Sequence, residues 1–158
     1  MRRPFTAVAL LAAVLAPRSA SAAQTIPYGS RIAMEVTVTE MNGIGTDRAV
    51  IHVVHTAAMA RRFCVDYAND RSARCVRDTL NEPGLKTVLR GNCRSGAFTT
   101  LYGEAMTFKG RNPDREEGAP RYRIEGAKGT LDGSYASGYP EILAQFRALC
   151  PALVDSLD

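Results

Sequence analysis

The sequence predicts an α+β domain: an antiparallel sheet of about six strands with three packed helices, one of them C-terminal, and a strongly curved or barrel-like sheet left open. Three observations carry this. Apolar and polar residues alternate in residues 31–40, 48–56 and 120–126, a helical recurrence replaces this at 57–68 and at 142–149, and four cysteines follow the N-terminal apolar run.

Ahead of these elements stands "MRRPFTAVALLAAVLAPRSASA", with a basic start, an apolar run from Phe5 to Ala16 and a small-residue exit. That is the build of a secretory signal peptide, too short and wrongly flanked for a membrane span. Cleavage is expected after Ala22, which leaves residues 23–158 as a single disulfide-stabilised domain. Loss of Arg2, Arg3 and Arg18 takes the 20 basic residues to 17 against 16 acidic ones, so the net charge falls from +4 to +1. A nucleic-acid partner normally needs a concentrated basic footprint, and this balance supplies none. With no second long apolar stretch, stable membrane insertion is not expected either.

"RIAMEVTVTE" (31–40) sets Ile32, Met34, Val36 and Val38 on one face, the pattern of a half-buried strand. "MNGIGTD" supplies the glycines of a connection to the next strand, "RAVIHVVHT"; without a following Lys-Ser/Thr pair it is not a phosphate loop. Met59, Phe63 and Tyr67, with Ala60 and Cys64, make 57–68 an amphipathic helix capped by Thr56. A shorter helix at 72–80 begins at Ser72 and places Cys75, Val76 and Leu80 inward, before Pro83 and Gly84 end it. Residues 85–90 form a weak strand, and "GAFTTLYGEAMTFKG" forms two strands bent near Gly103 and Glu104, with Phe98, Met106 and Phe108 inward. Residues 110–119 read as an exposed loop, "PRYRIEG" as a strand, and the region of Thr130 and Leu131 as a last short one. The small residues of "DGSYASGY" lead into a helix with Pro140 in its first turn and Ile142, Phe146 and Leu149 as its stripe; Pro151 marks its end.

Cys64, Cys75, Cys93 and Cys150 all follow the export signal, and an even count bound for an oxidising compartment argues for disulfides. Three pairings exist. The expected one is Cys64–Cys75, tying the two short helices, and Cys93–Cys150, fastening the last helix to the sheet. Zinc would call for closely paired ligands, and neither histidine has a cysteine at that spacing. No C-x-x-C redox pair, dinucleotide loop or haem motif is present, so no cofactor is expected.

His52 and His55 are the two histidines, and their odd separation on a strand sends them to opposite faces, unsuited to sharing a metal. His55, at the strand-to-helix junction, is a candidate base. Ser134 and Ser137 lie near Asp132 without a G-x-S-x-G elbow. Glu35, Glu104 and Asp132 lack a local spacing that would pair two carboxylates for glycan cleavage. Tyr102, Tyr122, Tyr135 and Tyr139 offer amphipathic rings for a contact surface, with Arg121 and Arg123 reaching an acidic partner. The expectation is a non-catalytic envelope protein, periplasmic or secreted, that binds a protein or cell-wall component as an inhibitor or accessory subunit. The alternative is a small periplasmic hydrolase using His55 with Ser134 or a carboxylate.

Overall fold

The computed structural model describes residues 23–114 and 117–155; the expected signal peptide lies outside the described residues. Eight strands form one antiparallel meander in sequence order: β1 (Thr25–Pro27), β2 (Glu35–Asn42), β3 (Ala49–Val54), β4 (Val88–Asn92), β5 (Ala97–Thr99), β6 (Ala105–Arg111), β7 (Tyr122–Gly126) and β8 (Gly129–Thr130). Among the described residues four α-helices accompany it: α1 (Ala57–Asp66), α2 (Ala73–Leu80), α3 (Tyr139–Leu149) and α4 (Pro151–Asp155).

This corrects the expected architecture in three respects: the sheet has eight strands rather than about six, the helices number four rather than three, and the sheet does not close. Among the described residues no ladder joins β1 to β8, so the sheet keeps two edges instead of forming a barrel. Both edge strands are very short, which limits the unpaired backbone on offer to another chain. The added helix follows from Pro151. Cys150 leaves helical geometry at φ −133° and ψ 59°, and Pro151 opens α4, because proline's fixed φ suits a first helical position as well as it ends a preceding helix.

Alternation builds β2 and β3 as expected, with Val36, Ile51 and Val53 buried. The N-terminal half of 31–40 is different. Ala33 takes a left-handed φ of 63°, β2 starts only at Glu35, and Ile32 is 60 % exposed. Shifts of register at Val38/Glu40 and Phe108/Arg111 break the ladders locally and add twist.

The core lies between the sheet and α3. Phe146 is fully buried, stacked on the Phe108 ring at 4.4 Å and tilted against the Phe98 ring at 5.0 Å. Gln145 beside it is 2 % exposed and satisfied at both ends: Oε1 accepts from the Leu101 N–H and Nε2 donates to the Pro27 carbonyl, each at 2.9 Å. One side chain therefore pins α3 to β1 and to the turn after β5. Tyr122 donates from its hydroxyl to the Val154 carbonyl at 2.9 Å and holds α4 down.

Both disulfides pair as expected, Cys64–Cys75 between α1 and α2 and Cys93–Cys150 between the turn after β4 and the end of α3. Thr56 caps α1 by accepting from the Met59 N–H, and Ser72 caps α2 by accepting from the Cys75 N–H. In α1 the buried side chains are Ala60 and Cys64; Tyr67 is exposed and stacks on Phe63 with ring centroids 5.4 Å apart. Among the described residues no helix is long and apolar enough to cross a membrane.

Candidate binding site

The stretch "DGSYASGY" is an ordered turn held by its own side chains. Asp132 Oδ1 accepts from the Ser134 N–H at 2.8 Å, Ser134 Oγ accepts from the Ser137 N–H at 3.2 Å, and Ser137 Oγ donates back to the Ser134 carbonyl at 2.8 Å. The Ser134 hydroxyl, then its N–H and the Ser137 hydroxyl, keep the Asp132 carboxyl below its ordinary range. They wind Tyr135–Ser137 into a 3₁₀ turn that ends at Gly138, whose φ of +71° is a conformation that few side chains tolerate. Gly138 then starts α3, so the turn and the helix share one fixed corner.

Two cavities flank that corner. One, about 280 Å³, is lined by Tyr28, Tyr102, Glu104, Tyr135, Glu141 and Gln145 among others. The second, about 490 Å³, runs past Met106, Lys128, Leu131 and Asp132. Their walls have Glu104, Ala136, Ser137 and Ile142 in common. Together they make a cleft with the 3₁₀ turn as its ridge. A wider trough of about 790 Å³ crosses β3 to β7. Four charged side chains line it: Arg48 lies 3.7 Å from Asp47, Glu125 pairs with Lys109 and Arg123, and Arg90 makes no ion pair among the described residues.

Beside the smaller cavity, four side chains interact. Tyr28 and His55 meet edge to face, the Tyr28 hydroxyl 3.5 Å from His55 Nε2. Tyr102 packs edge-on to Tyr28 and donates its hydroxyl hydrogen to Glu82 Oε1 at 3.2 Å. Burial, with the Glu82 charge adding to it, pushes the Tyr28 hydroxyl up to about 12. Burial and then the Glu82 charge raise Tyr102 as well. Both phenols therefore stay protonated at neutral pH and serve as donors.

Burial also holds His55 below its ordinary value of 6.5, against an opposing pull from the Glu82 carboxylate. The neutral ring belongs to the fold, and the unfolded chain takes up the extra proton. The His55 contribution to stability is thus complete above pH 6.5 and is lost as pH falls through the lower folded value. Melting followed from about pH 7.5 to about pH 5 should show a steeper decline in the native protein than in His55→Gln. Parallel declines would contradict this assignment.

The structure places the sequence-derived residues unevenly. Tyr102 and Tyr135 stand at the smaller cavity, Tyr135 with 70 % of its surface exposed. Tyr122 and Tyr139 are core residues: the Tyr139 hydroxyl donates to the Tyr122 carbonyl at 2.9 Å and accepts from the Tyr122 N–H at 3.1 Å. Arg121 lies over the Tyr122 ring at 5.6 Å, and Arg123 Nη2 pairs with Glu125 Oε1 at 2.9 Å. The four tyrosines are therefore not one surface. His55 bonds toward Tyr28, whereas Ser134 is engaged in its own turn with Asp132 and Ser137. Among the described residues no group of three or more His, Cys, Asp or Glu side chains is arranged to hold a metal ion.

Tyr28, Glu82, Glu141 and Gln145 belong to the site without having stood out in the sequence. Glu141 resembles an ordinary first-turn acid, and the other three depend on contacts between distant segments. No protein-family model, curated protein or solved structure matches the chain.

Proposed function

We propose that the protein is an exported, non-catalytic envelope protein, periplasmic or secreted, that binds a protein or cell-wall component in the cleft beside residues 132–141, as an inhibitor or an accessory subunit. The observation that carries this reading is the cleft with the Tyr135–Ser137 turn as its ridge, where aromatic rings and acidic groups converge on a rigid corner. Tyrosines at such a place bury large area with little conformational entropy to lose. The two disulfides fit an oxidising destination, and the apolar N-terminal run supplies the export signal. The Ser134 hydroxyl, committed to capping its turn, is poorly disposed to act as a nucleophile activated by His55.

The experiment is a crosslinking capture by the oxidised protein from native envelope extract and isolated cell-wall material, with bound species identified by mass spectrometry. The control is Tyr102→Ala/Tyr135→Ala, since substitution of Tyr122 or Tyr139 would disturb the core. A saturable partner bound about tenfold more weakly by this variant, with the fold retained by circular dichroism, is expected. Turnover of an envelope substrate that disappears in His55→Ala would overturn the reading.

A further inference from the structure

Glu141, in the first turn of α3, is 8 % exposed, and its Oε2 is enclosed without a hydrogen-bond partner. The ordinary use of an acid at this position is a bond back to the backbone N–H of the residue that caps the helix. Here that N–H, of Gly138, is given to the Tyr135 carbonyl instead. Of the neighbouring polar groups, Gln145 is engaged at both ends, Thr100 Oγ1 accepts from the Glu104 N–H, Ser137 Oγ donates to the Ser134 carbonyl and Tyr102 donates to Glu82, and none of these bonds reaches Glu141. Glu141 thus lines the cavity of about 280 Å³ with one of its carboxylate oxygens, Oε2, enclosed and without a hydrogen bond.

The other charged residue in that wall, Glu104, is also acidic, and neither lysine nor arginine lines it. Arg31, whose charge reaches Tyr102, is held over the Tyr67 ring at 5.3 Å. A hard metal ion would need several oxygen ligands, and no cluster of three acidic or other metal-binding side chains exists among the described residues. An ammonium group needs less: one carboxylate, aromatic faces for its positive charge and apolar wall for its stem. Tyr28, Tyr102 and Tyr135 supply the rings, and Ala136 and Ile142 the apolar wall. The volume suits one side chain rather than a whole drug-sized ligand.

We propose that this cavity is a subsite for the alkylammonium side chain of a peptide ligand, with Glu141 as its counter-ion and the three tyrosines around its stem. The proposal rests on the binding reading above and specifies the chemistry of the ligand. The test titrates the oxidised protein by NMR with Nα-acetyl-lysine amide, its neutral analogue Nα-acetyl-norleucine amide, and glucosamine. Saturable binding of the lysine compound, about tenfold tighter than the norleucine compound and about tenfold weaker in Glu141→Gln, is the expected result. Equal affinity for the lysine and norleucine compounds, tighter binding of glucosamine, or no saturable binding by any probe would overturn it. So would unchanged affinity for the lysine compound in Glu141→Gln. The comparison of probes on the native protein decides the matter even if Glu141→Gln fails to fold. An envelope ligand lost in Tyr102→Ala/Tyr135→Ala but retained in Glu141→Gln overturns the ammonium subsite alone. One retained in both variants overturns the cleft as the binding site.

Discussion

Replacing Cys93 and Cys150 together with alanine is expected to lower stability by about 4 kcal/mol, or roughly 15 °C in melting temperature. The bridge spans 57 residues of sequence, so its loss releases a long loop in the unfolded chain. It also joins the turn after β4 to the end of α3, the helix that fills the sheet. The Cys64–Cys75 bridge closes a separation of only 11 and ties α1 to α2, so its removal should weigh less, about 3 kcal/mol in the same chain-entropy treatment. Calorimetry of the two double variants under oxidising conditions gives the comparison. A loss below about 1 kcal/mol for the Cys93/Cys150 pair would contradict it.

Phe146→Ala should cost about 4 kcal/mol, within the range for deleting a buried aromatic ring. Its ring is fully buried between Phe98 and Phe108. Collapse into the space is restrained, because Gln145 next to it fixes α3 to the Leu101 N–H and the Pro27 carbonyl. A cavity that cannot relax lies at the costly end of such substitutions. Urea unfolding with an unchanged denaturant slope is the measurement. A loss under about 1.5 kcal/mol would mean that the helix repacks freely.

The parts of the fold legible in the sequence are those governed by local pattern or covalent arithmetic. The alternation in β2 and β3 and the Thr56 and Ser72 caps each act within a short window, and the even cysteine count is arithmetic over the chain. The three residues of β1 are too short for any period to register, and pairing with β2 makes them a strand; β8, expected near Thr130 and Leu131, is fixed by its pairing with β7. Ile32 continues the alternation of the next residues, yet the left-handed Ala33 starts the strand later and turns Ile32 outward. Pro151 is ambiguous by nature, suited both to ending one helix and to beginning another.

The site was less legible for the same physical reason. Tyrosine is equally at home in a core with its hydroxyl satisfied and at a wet surface, so composition cannot separate Tyr122 and Tyr139 from Tyr102 and Tyr135. For Tyr122 a signal was present: it alternates with Arg121 and Arg123 on the face of Ile124, which is buried. For Glu141 none was. A first-turn glutamate becomes exceptional only when Gly138 gives its N–H elsewhere and an enclosed carboxylate oxygen is left without a partner.

Hydrogen exchange on the oxidised protein, with and without a saturating envelope ligand obtained by the capture, tests the central claim most directly. Binding in the cleft predicts slowed exchange at residues 100–104 and 133–142, on either side of the smaller cavity. Slowing confined to residues 90–99 and 105–107, along the open trough of the sheet, would contradict it.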